Sequence, residues 1–165
     1  MHSLSWAAEP GYRSVYTSLK ECRIIESSEQ EADPEIDHFT AECPAREDYR
    51  LIHMGEDARS WIVLKRGEET VIDLYDDVMQ NQPGAFPFVS GDVAEWRYQD
   101  GSLVALIFRI AGSDLETDEL KSRLMVVRFD ANRACMIGVA VANEKAREIA
   151  DSDKSCSSAA EDAGK

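Results

Sequence analysis

Four charged residues stand in stretches that are otherwise built for burial, and they are the first candidates for chemistry. Glu95 and Arg97 flank Trp96 in the segment 93–98. Arg109 interrupts the apolar run 103–110, and Arg128 closes Leu124-Met125-Val126-Val127. The two-residue period of a strand places Glu95 and Arg97 on one face. A charge on a central strand must be paired or reach water. One reading is therefore a pocket in which the arginines hold a carboxylate, a phosphate or an acidic side chain bidentately. The simpler reading is an ion-pair network around Glu95, or arginine heads that pass a sheet edge into solvent. A ligand site, in either an enzyme or an anion-binding protein, is expected at Glu95, Arg97, Arg109 and Arg128.

The cysteines come next. Cys22 and Cys43 bracket an acidic stretch. A bridge between them restricts the unfolded chain and stabilises the fold by about 3 kcal/mol; the alternative is two reduced, buried thiols. The bridge is the favoured reading. Cys135 lies in an apolar strand and reads as an inert core residue. Cys156 can reach it only if the C-terminal tail folds back. No CxxC pair is present, which argues against zinc and against a thioredoxin-like motif.

The acidic stretches are Glu26, Glu29, Glu31, Asp33, Glu35 and Asp37, and later Asp114, Glu116, Asp118 and Glu119. Both offer oxygen ligands for Ca²⁺. Neither has the glycine and closing glutamate of an EF-hand loop, so solvated loops are expected, with no metal and no cofactor. His2, His38 and His53 fall in different segments. Nothing in the spacing selects a Ser-His-Asp set. GxSxG, Walker, GxGxxG and HExxH motifs are all absent.

The chain carries 32 acids against 18 bases, a formal net charge of −14. Nucleic acid and anionic membrane surfaces repel such a charge, whereas a cationic protein is attracted. Lysozyme is one example of such a partner, on charge alone. No window approaches a membrane-spanning helix. Residues 1–10 lack the basic-then-apolar pattern of a leader. That leaves a cytosolic protein, or an exported one whose leader has been removed.

The elements that must position these residues are mostly strands. The spacing of Val15, Leu19, Cys22 and Ile25 predicts a short helix. Strands are expected over 49–54, 60–66 and 70–75, followed by a long connection over 76–91 that Phe86 and Phe88 pin to the core. Asp100-Gly101 suits a type I′ turn, and this two-residue loop puts Tyr98 opposite Leu103 and Trp96 opposite Ala105. The return strand is apolar on both faces apart from Arg109, so it belongs in the middle of a sheet. Residues 112–121 read as an acidic loop. Strands over 123–129 and 134–141 follow, then a helix over 144–150 capped by Asn143. Residues 1–14 read as flexible, 15–151 as one domain and 152–165 as a disordered tail. The expected fold is α+β. It has a single antiparallel, meander-like, curled sheet of about six or seven strands, with short helices near both ends.

Taken in order, Tyr16-Thr17-Ser18-Leu19 with Cys22, Cys43, Glu95-Trp96-Arg97, 105–109, Ala134-Cys135 and Ala146-Arg147-Glu148-Ile149-Ala150-Asp151 resemble a family of exported proteobacterial proteins of unassigned function. The likeness spans roughly residues 15–151. It implies a periplasmic home and an oxidised Cys22–Cys43 pair, and it supplies no catalytic residues. Residues 44–48 depart from the more glycine-rich stretch of the family. The leading expectation is a non-enzymatic periplasmic binding or inhibitor-type module for a cationic protein. The alternatives are an enzyme or small-anion binder using the four charges, and a structural envelope protein.

Overall fold

The computed structural model describes residues 11–30 and 37–157. Among the described residues the protein is mostly β, with two separate five-stranded antiparallel sheets and two short α-helices. The strands are β1 (Tyr12–Ser18), β2 (Arg23–Ser27), β3 (His38–Cys43), β4 (Tyr49–Glu56), β5 (Arg59–Arg66), β6 (Glu69–Asp73), β7 (Ala85–Gln99), β8 (Ser102–Ser113), β9 (Leu120–Asp130) and β10 (Arg133–Ala140). The helices are α1 (Tyr75–Gln80) and α2 (Asn143–Asp151). The first sheet has the order β1-β7-β8-β9-β10, and the second is the meander β2-β3-β4-β5-β6.

This overturns the single curled sheet of an α+β domain. Three local readings explain the difference. The segment 15–25 is not a helix: Val15, Tyr16, Thr17, Ile24 and Ile25 are β-branched or aromatic, and they build two strands. A helical run this short is marginal without an apolar face to bury. Second, residues 85–90 are not a connection but the first half of β7. Pro87 is tolerated there because the ladder slips between Ala85 and Phe88. Third, α1 and the turn after it carry the chain from one sheet to the other, which breaks the meander between β6 and β7.

The sheets share one apolar core. Leu51, Ile62 and Leu64 of the second sheet join Trp96, Phe108 and Met125 of the first in a single cluster. The opposite face of the first sheet is also covered: Ala105, Ile107 and Val126 pack with Ala146 and Ala150 of α2. Two buried faces explain why β8 is apolar on both sides apart from Arg109, and it is indeed the middle strand.

Asp100 and Gly101 both have positive φ, as the type I′ turn requires. Tyr98 faces Leu103 as expected, but Trp96 faces Leu106 rather than Ala105. A bulge at Val104 shifts the ladder by one residue. It lets Leu103 and Leu106, three apart, both turn toward the core.

Cys22–Cys43 and Cys135–Cys156 are both disulfides. Cys135 is therefore not an inert core thiol, and the tail does fold back. Residues 152–157 lie against the first sheet, with Cys156 buried. Asn143 is the first residue of α2; Ala142 holds the cap position and gives no side-chain bond. Two disulfides suggest an oxidising environment outside the cytoplasm. No helix among the described residues is long and apolar enough to cross a membrane.

One backbone crossing has no room for a side chain. A Cβ added to Gly112 on β8 would lie 2.6 Å from the carbonyl of Gly84, and one added to Gly84 would meet Gly112 at 2.7 Å. Main chain cannot swing aside as a side-chain end can. Gly112→Ala is expected to lower the unfolding free energy by about 2–3 kcal/mol in urea titrations. A loss below about 0.5 kcal/mol would show that the crossing opens freely.

Candidate functional site

The ladder places all four predicted charges on the face of the first sheet that α2 covers. Glu95 pairs with Ile107, Arg97 with Ala105, Arg109 with Leu124 and Ala105 with Arg128, so the four share that side with the α2-facing cluster. The helix then divides them.

Glu95 is only 6% exposed. Its carboxylate accepts from Arg147 Nε at 2.8 Å, from Arg147 Nη2 at 3.3 Å and from the Ser14 hydroxyl at 2.6 Å. The bond to Glu95 holds the Arg147 guanidinium above its ordinary pKa. Arg97 makes a bidentate pair with Asp151, both contacts at 2.8 Å, and also donates to Ser14 Oγ. That pairing likewise raises its pKa. Glu95 and Arg97 therefore meet α2 as two crossed ion pairs that share Ser14. Arg147 and Asp151, four apart on one face of α2, were missed by sequence reasoning. The signal for them was present in their spacing and in the small Ala146 and Ala150 beside them.

Arg128 is buried and forms no ion pair among the described residues. It donates to the carbonyls of Lys154, Val104, Ala150 and Ser152 at 2.8–3.2 Å. Burial pulls its pKa below the ordinary arginine value. Two of these carbonyls close α2, where the helix presents its negative end. Arg128 is thus a clamp on the end of α2.

Arg109 stands apart from the other three. It donates to the Ser122 hydroxyl at 2.8 Å and lines a cleft of about 270 Å³ with Arg147, Glu95, Tyr16 and Asn143. Here two guanidinium groups approach one space, while Glu95 is already neutralised by Arg147.

A second and larger depression, about 620 Å³, was not anticipated. Ile24, Phe39, His53, Phe88 and Val89 contribute to its lining. Its rim carries Glu29, Asp37, Glu56 and Asp57, against Arg59. The β4–β5 hairpin presents part of this rim, because Asp57 and Ala58 turn the chain with positive φ. Phe39 faces Gly55 across the ladder and its ring fills the space where a Cβ would sit. The same ring stands edge-on to His53, with centroids 5.0 Å apart. Strand alternation alone could not reveal this groove, because its lining comes from four separate stretches of chain.

His53 is half-buried, and desolvation pushes its pKa from 6.5 down to about 4. Its Nε2 is buried without a hydrogen-bond partner among the described residues. Between those two pH values the unfolded chain binds the proton and the folded one does not. Stability from a neutral His53 is therefore complete above pH 6.5 and is lost as the pH falls toward 4. By pH 5 the loss is about 2 kcal/mol. Denaturant titrations at pH 7 and pH 5 should show this loss, and His53→Phe should abolish that share of it. An equal pH response in the variant would show that His53 titrates normally.

The acidic residues have local uses where they are described. Asp114 accepts from the amides of Glu116 and Thr117, and it meets Lys121. These bonds hold its carboxyl below the ordinary range. Glu31, Asp33 and Glu35 lie outside the described residues. Among the described residues, no three His, Cys, Asp or Glu side chains cluster as a metal site. In comparisons with family models, curated proteins and solved structures, nothing matches this chain.

Proposed function

We propose that the protein is a non-catalytic binding module of the periplasm, and that its groove receives a cationic protein partner. The observation that carries the reading is an apolar depression rimmed by Glu29, Asp37, Glu56 and Asp57, on a chain of net charge −14. Apolar floor supplies binding energy by desolvation, and the acidic rim selects and steers positive charge. The two disulfides fit an oxidising compartment outside the cytoplasm, and the resemblance to exported proteobacterial proteins favours the periplasm as that compartment.

A displayed random-peptide library, panned on the protein at low salt, tests this directly. Enriched peptides should carry Lys or Arg around an apolar anchor, and their affinity should fall with salt. The charge-neutral pair Glu56→Gln/Asp57→Asn should weaken them about 5–10-fold. Enrichment without basic residues, or binding indifferent to the double substitution, would sink the reading.

A second reading rests on the Arg109 cleft: a small carboxylate or phosphate held by Arg109 beside Arg147. Such a ligand would raise the thermal midpoint with the logarithm of its concentration once that exceeds Kd.

A further inference from the structure

The groove is continuous with a sheet edge that no other described strand pairs. Ile24 lies in its lining and on β2, which ends the strand order of the second sheet. Edge strands expose a row of unpaired backbone groups, and folded proteins commonly defend them with charge, bulges or covering segments.

The other three edges are defended. On β6, Glu69 and Asp73 bring charge to both ends of the strand. On β1, Tyr12 donates to the Asp151 carbonyl and Tyr16 accepts from Arg147, so α2 overlaps that border. On β10, Cys135 ties the folded-back tail alongside. β2 differs. Ile24 is 57% exposed and Ile25 is 45% exposed. Arg23, Glu26 and a bulge between Ile24 and Glu26 defend the strand in part, but they leave these two isoleucines uncovered. Two adjacent β-branched apolar side chains on a border strand is an arrangement suited to pairing.

We infer that the partner binds by β-strand addition: an extended, basic segment of a foreign protein pairs with the outer edge of β2 and sets an apolar side chain into the groove beside Phe39 and Phe88. This rests on the groove reading above and specifies how that site works. Main-chain bonds supply affinity in this mode, and alternate side chains supply specificity. The side chains on one face reach the groove at every second position. Basic residues then meet Glu26 on β2 and the acidic rim. A second copy of this chain is the wrong occupant, because it brings another net charge of −14 to an acidic border.

The experiment uses the full chain and the highest-affinity peptide from the panning. Each backbone amide of the peptide is methylated in turn. Strand addition predicts losses above about tenfold at alternate positions and little change between them. In hydrogen exchange, the peptide should protect the amides of residues 23–27. Ile24→Lys, at an exposed position, should weaken binding at least about tenfold without altering the melt. A salt-sensitive peptide with a flat methylation scan and unprotected β2 amides would overturn strand addition and leave the groove reading standing. Failure of any peptide to enrich would overturn both. Self-association by sedimentation, with residues 23–27 protected in the absence of peptide, would make a second copy the occupant and overturn the inference.

Discussion

Replacing Arg128 by alanine is expected to cost about 3–5 kcal/mol of unfolding free energy, the largest effect of any single substitution proposed for this protein. The side chain is buried and its guanidinium serves four carbonyls at once. Removing it leaves those oxygens without a donor in a place water reaches poorly, and it opens a cavity between β9 and the end of α2. Arg128→Lys keeps the charge but not the planar fork, so it should recover only part of the loss. The two variants separate electrostatics from geometry. If alanine and lysine variants both melt within about 0.5 kcal/mol of the parent, the clamp is ornamental. The tail should respond too. Because Arg128 binds the Ser152 and Lys154 carbonyls, hydrogen exchange over residues 150–157 should accelerate in Arg128→Ala even with the Cys135–Cys156 bond intact.

The second large effect belongs to Glu95. Glu95→Ala removes the acceptor from Arg147 and from Ser14 together. Arg147 is about one-third exposed, so water recovers some of its hydration. The expected cost is about 2–4 kcal/mol, lower than for a fully enclosed pair. A double-mutant cycle with Arg147→Ala isolates the interaction. The double variant should cost clearly less than the two single costs added together, because removing both partners leaves no stranded charge. Strict additivity would mean that Glu95 and Arg147 do not stabilise one another. The same cycle on Arg97 and Asp151 should give a similar sign, since that pair is bidentate and mostly enclosed.

These two predictions give the motifs Glu95-Trp96-Arg97 and 146–151 a shared physical account. Trp96 enters the core, where its Nε1 donates to Thr17 at 2.8 Å, while its two neighbours turn to α2. Ala146 and Ala150 are small enough for α2 to approach the sheet, and Arg147 and Asp151 meet the charges waiting there. Gly138 extends this seat: a Cβ at that position would lie 3.0 Å from Ile149. The charged strip is therefore a docking seam inside one molecule, except at Arg109, which keeps a cleft.

What the chain determines locally could be read from its order. Positive-φ turn residues at Asp100-Gly101 and the short apolar runs of β4, β5, β8 and β9 each follow from neighbours in sequence. The favoured Cys22–Cys43 bond and the pairing of Glu95 with an arginine were also legible, although not that Arg147 is the partner. Tertiary structure decided what depends on distant partners. The segment 15–25 has helix-compatible spacing, yet β7 and β3 offered it ladder bonds that a short helix could not match. The division into two sheets arose because α1 interrupts the meander, and the groove arose where segments from both sheets converge. Hydrogen-bond ladders and shared cavities are set by contacts between residues far apart in the chain, and one-dimensional periodicity carries no record of them.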